Sequence, residues 1–99
     1  MNLNIHAVHF AADGRLLTLI EKKVERLRNY FDKILDVEVF LKLENLSSPV
    51  RDKVVSIKVH VPGGQFFAEE QSKLFEEAVE LSMYSLRRQI TKHKEKLRQ

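Results

Sequence analysis

A chain of 99 residues, 43% of them hydrophobic and 8% aromatic, has room for one hydrophobic core but not for two, and is too rich in apolar residues for a disordered segment. It contains no cysteine, which excludes a disulfide framework and a thiolate metal site and fits a reducing, cytoplasmic compartment. Net charge is only +3, no run approaches the ~20 apolar residues that span a bilayer, and Met1 to Phe10 alternates instead of forming a leader segment.

Leu3, Ile5 and Ala7 alternate with Asn4 and His6, the period of a half-buried strand, and predict a first strand from about Asn2 to Phe10. Asp13 is a suitable N-cap. After it Leu16, Leu17, Ile20, Val24, Leu27 and Phe31 recur at spacings of three and four, which predicts a helix from about Gly14 to Phe31. Val37, Val39, Leu41 and Leu43 mark a second strand up to Glu44, followed by the turn formers Asn45, Ser47, Ser48 and Pro49. Val55, Ile57, Val59 and Val61 mark a third strand ending at Pro62-Gly63-Gly64, a hairpin turn, with a fourth strand from Gln65 to about Glu70. Ser72 is a candidate cap for a long second helix whose buried stripe is assigned to Phe75, Val79, Ser82, Met83, Leu86, Ile90 and Leu97.

The order is βαβββα, an α+β fold in which a four-stranded, mostly antiparallel sheet carries two helices on one face. No repeat, linker or low-complexity tract divides the chain, so residues 1–99 are expected to form one domain.

The positive charge is concentrated at one end of one element. From Arg87 to Gln99 six basic residues face one acid, a local net charge of +5, whereas the rest of the chain carries −2. Matching of the helix dipole favours Glu76, Glu77 and Glu80 at the start of the second helix and cations at its end. Yet Arg88, Lys92 and Lys96 on one flank and Arg87, Lys94 and Arg98 on the other exceed what a last turn can use. On the first helix Arg15, Lys22, Arg26 and Lys33 fall in a stripe ~40° wide at ~100° per residue, nearly opposite the apolar face. Side by side on one sheet face, the two stripes would form a basic groove for phosphates, with affinity falling steeply in salt. Tyr30, Tyr84 and Phe40 could stack on unpaired bases, but the reading preferred for each is a partly buried structural aromatic.

No catalytic constellation accompanies the charge. His6 and His9, three apart on a strand, point to opposite faces and cannot share a tetrahedral metal site. His60 and His93 have no ligand cluster near them, although His93 between Lys92 and Lys94 can add a phosphate contact. Gly63-Gly64 lacks the rest of a phosphate-binding glycine motif, and no two acids are placed in opposed environments as acid–base catalysis needs. Neither an enzyme, nor a cofactor, nor a small-molecule substrate is expected.

Several segments in order resemble the ribosome hibernation-promoting factor family, also described as ribosome-associated inhibitor or sigma-54 modulation proteins. They are LNI at Leu3 to Ile5, RLRNYFDKI at Arg26 to Ile34, VEVFLKLE at Val37 to Glu44, VPGG at Val61 to Gly64 and RQITKHKEKLRQ at Arg88 to Gln99. The resemblance implies a fold like a double-stranded-RNA-binding domain. It also implies docking on the small ribosomal subunit, where the protein occupies the mRNA and tRNA channel and inhibits translation sterically. By position it implies rRNA contacts from Lys23, Arg26 and Lys33 on the first helix and from Arg88, Lys92, Lys94 and Lys96 on the second. The stripe geometry prefers Lys22 to Lys23, the basic flank of the second helix adds Arg87, and the place of His93 between Lys92 and Lys94 adds that residue, so the candidate site comprises all ten residues. Where many members carry an acid and a tyrosine early in the second helix, this chain has LFEEAVE at Leu74 to Glu80, which puts contacts through those side chains in doubt. The chain ending after that helix resembles the short form without a C-terminal dimerisation domain, expected to be monomeric off the ribosome. The competing readings are a free double-stranded-RNA-binding module and a helix that docks on a protein or an anionic membrane. The sheet should consume the helix's apolar stripe, so liposome binding is expected to be absent.

Overall fold

The computed structural model describes residues 1–45, 47 and 49–97, so the turn assignment of Ser48 and the placement of Arg98 and Gln99 fall outside the described residues. The strands are β1 (Asn2–Ala7), β2 (Asp36–Glu44), β3 (Asp52–Val61) and β4 (Gly64–Ser72), and the helices are α1 (Gly14–Arg26) and α2 (Phe75–Leu97). They form one sheet in the order β1-β2-β3-β4. β1 and β2, joined through α1, pair in parallel, with Leu3, Ile5 and Ala7 opposite Val37, Val39 and Leu41. The other two pairings are antiparallel. The register places Val37, Val39, Leu41, Val55, Ile57, Val59, Phe66 and Ala68 in one core with the buried stripes of both helices. The expected α+β architecture with two helices on one sheet face is the observed one.

Local chemistry sets the boundaries. Gly63 has φ +82°, as the third residue of a type II turn requires, and Pro62 before it completes the two-residue hairpin between the paired Val61 and Gly64. Asp13 caps α1 as expected, its Oδ1 accepting from the Leu16 N–H at 2.8 Å.

Four expectations need correction. β1 stops at Ala7 and not Phe10, because His9 adopts the left-handed region (φ 62°) and turns the chain, while Phe10 stacks on Phe75 with centroids 5.4 Å apart. α1 stops at Arg26 and tightens into a 3₁₀ turn, Leu27–Asn29, where the Tyr30 and Phe31 N–H groups share the Leu27 carbonyl, each at 2.9 Å. Phe31 thus keeps helical spacing without being helical. Ser72 is not the cap of α2: it remains in β4 opposite Lys53, and Leu74 accepts the bond from the Ala78 N–H at 3.1 Å. Leu97 is not buried but 71% exposed. α2, about 34 Å long at 1.5 Å per residue, outruns the sheet, since His93 already touches Phe66, two residues from the hairpin.

Candidate nucleic-acid interface

Three contacts fix how the helices lie along one another. Lys23 of α1 forms an ion pair with Glu80 of α2. The Arg87 guanidinium sits over the Tyr30 ring, 4.7 Å from its centroid, and His93 packs against Phe31 with centroids 5.8 Å apart. The body of α1 therefore lies beside the acidic first half of α2, and the 3₁₀ turn with the segment after it lies beside the basic second half. This corrects the expected groove. Lys22, next to Lys23, is level with Glu80, Arg26 falls between the levels of Glu80 and Arg87, and the end of α1 is past before the dense cations begin. Lys33, assigned by periodicity to the α1 stripe, lies instead in the exposed connection to β2.

The ten candidate residues then separate by surroundings. Lys22, Arg26, Lys33, Arg87, Arg88, Lys92, Lys94 and Lys96 are exposed. Among the described residues none of the eight has a carboxylate within 4.0 Å, whereas Lys23, Arg28, Lys42 and Lys73 do. An unpaired cation in water keeps its full charge for an incoming phosphate, while a paired one must first give up its partner. Lys23 is accordingly committed to holding α1 on α2. His93 is half-buried, edge-on to Phe66 at 5.5 Å, and faces the core margin more than the cationic surface.

Two recesses accompany the cations of α2. One, of about 400 Å³ on the outer surface of α2, is lined by Tyr30, Tyr84, Arg87, Arg88, Thr91, Lys92 and Glu95. The other, of about 340 Å³, lies between Lys94 and the segment Arg28 to Asp32. Arg28 was missed by the stripe analysis because it lies off the α1 stripe, and its guanidinium donates to Glu25 at 2.7 Å. Gln89 was also missed. Its side-chain amide donates to the Phe67 carbonyl at 2.7 Å and accepts from the Phe67 N–H at 3.2 Å, fastening α2 to β4 where the cations start. A lone glutamine among basic residues gives no sequence signal for such a contact. Phe40 belongs elsewhere, on the sheet face opposite the helices, stacked on His6 at 4.9 Å with Lys58 5.6 Å from its centroid.

Chemically, the surface offers point charges, planar guanidinium groups and two aromatic rings, which suits recognition of a polyanion. Among the described residues no three His, Cys, Asp or Glu side chains are grouped to hold a metal ion, and no helix is long and apolar enough to cross a membrane.

Residues 3–98 match the sequence model of the family described as Sigma 54 modulation protein / S30EA ribosomal protein. The Ribosome hibernation promoting factor of Escherichia coli is 32% identical over 99 residues, covering 100% of this chain and 99% of that protein. That of Pseudomonas putida is 31% identical over 96 residues, covering 97% and 89%. Among solved structures, a ribosomal subunit interface protein from Coxiella burnetii superposes with a TM-score of 0.84 at 26% identity, covering 95% of this chain and 98% of that one. The N-terminal domain of Thermus thermophilus Protein Y superposes with a TM-score of 0.79, covering 94% and 99%, and at 24% identity speaks for the fold alone.

Proposed function

Because the chain belongs to the Sigma 54 modulation protein / S30EA ribosomal protein family, we propose that it is a ribosome hibernation factor that binds the rRNA of the small subunit. It acts there by occupying the mRNA and tRNA channel, so that translation stops for lack of space and not through any catalysed reaction. It works in the cytoplasm as a single domain, monomeric off the ribosome, and needs no cofactor.

The observation that carries this reading is the run of exposed cations over the C-terminal half of α2, without acidic partners among the described residues and continued by Lys33 beside it and by Lys22 and Arg26 on α1. Neutralising phosphates with such residues releases condensed counterions, which gives strong binding at low salt and no sequence preference by itself. The contacts are assigned to Lys22, Arg26, Lys33, Arg87, Arg88, Lys92, Lys94 and Lys96. Lys23 and His93 act by positioning, Lys23 through Glu80 and His93 through the aromatic cluster that seats α2. A rigid body with extents of 50 × 22 × 19 Å needs only this anchorage to exclude other occupants of a channel.

Co-sedimentation with purified small subunits tests the assignment. Combined Lys92→Glu, Lys94→Glu and Lys96→Glu should abolish sedimentation while leaving the fold intact, with the unfolding transition still cooperative and only modestly lowered by the unfavourable charges at the helix end. Sedimentation that persists at low and physiological salt would remove α2 as the principal contact. Tight binding to plain duplex RNA with none to small subunits would favour the free double-stranded-RNA module instead.

A further inference from the structure

The chain has two tyrosines and no tryptophan, and both tyrosines line the same recess on α2. Tyr84 projects from the helix face turned away from the sheet and is 63% exposed, so core packing does not account for it. Each ring has its own guanidinium, Arg87 over Tyr30 at 4.7 Å and Arg88 over Tyr84 at 5.9 Å, with Lys92 on the same rim. The recess, of about 400 Å³, is open to solvent along the helix surface. A surface that only follows a duplex backbone has no use for exposed rings, because paired bases keep their faces stacked inside the helix. Aromatic rings and guanidinium planes are what unpaired bases stack on.

We propose that this recess takes one unpaired RNA nucleotide, its base stacked on Tyr84 beside the Arg88 guanidinium and its neighbouring phosphates held by Arg87 and Lys92. The inference rests on the ribosomal-RNA reading above and adds that the strand met here is unpaired. Glu95, the single acid of the lining, repels phosphate from its own side and accepts a hydrogen bond from a base carrying an exocyclic amine.

Tyrosine emission from the intact protein reports on this recess alone, since both tyrosines line it. Titration with a single-stranded adenylate hexamer should quench the emission saturably, while an abasic ribose-phosphate hexamer of equal charge should not. Tyr84→Leu should weaken binding of labelled adenylate hexamer about tenfold, equivalent to ~1.4 kcal/mol, with the abasic strand unaffected, and Tyr84→Phe should restore it. Equal quenching and equal affinity for both strands, or an unchanged adenylate affinity in Tyr84→Leu, would overturn the proposal. Small-subunit sedimentation of the same wild-type protein separates the two readings. Selective adenylate quenching without subunit binding supports the nucleotide site and removes its ribosomal setting, whereas subunit binding without selective quenching does the reverse.

Discussion

The two halves of α2 share one uninterrupted backbone and do opposite things. From Phe75 to Leu86 the helix buries Ala78, Val79, Ser82, Met83 and Leu86 against the sheet and turns Glu76, Glu77 and Glu80 outward. From Arg87 to Leu97 it buries Ile90 alone and exposes Arg87, Arg88, Lys92, Lys94 and Lys96. Starting a helix is the costly step and extending one is cheap, so a nucleus packed on the sheet can carry several turns that pack on little. The basic half consequently meets its partner already ordered, without the loss of chain entropy that a flexible basic tail would suffer on binding. Density of apolar contacts builds the first half, and its scarcity leaves the second half accessible.

Substitutions along α2 can sharpen or break this division. Leu86→Ala, at a side chain with no exposure, should lower stability by about 2–5 kcal/mol in denaturant unfolding. A loss of under about 1 kcal/mol would mean that the first half does not anchor the helix. Gln89→Ala, at the boundary, removes the paired bonds to Phe67 and should cost about 1–2 kcal/mol. Hydrogen exchange should locate that loss in β4 and the middle of α2. Leu97→Ala, on the exposed last turn, should change stability by no more than about 0.5 kcal/mol. A larger effect would show that the second half packs more than the contacts indicate.

Most of the scaffold was legible in the residues, because alternation specifies which strand face is buried and spacings of three and four specify the helix stripe. Apart from the Ser72 cap, the errors arose where local periodicity outlived the element. Leu27 and Phe31 keep the spacing of a helix through a 3₁₀ turn, and Leu97 keeps the stripe of α2 beyond the end of the sheet. For the candidate site, the cations themselves could be read but their mutual placement could not. Whether the stripe of α1 lies beside Glu80 or beside Lys92 depends on where α1 stops relative to α2, which no local window contains. The same applies to the choice between Lys22 and Lys23: they are neighbours in sequence, and only the facing Glu80 makes one a strut and leaves the other exposed. Tyr84 shows the converse, an aromatic whose exposure becomes informative only once the core is known to be complete without it.

The Gln89 amide has a consequence beyond holding α2 down. β4 is one of the two outer strands of the sheet, and such a strand offers its outward N–H and C=O groups as a template for any extended chain that meets it. At Phe67 both groups are already engaged by one side chain, and the outer strand on that side reads Gly64 to Ser72 with Gln65, Glu69 and Gln71 among its residues. A second molecule adding a strand there would have to displace the amide and meet a charged, polar edge. At Phe67 this edge of the sheet is therefore closed to an added strand.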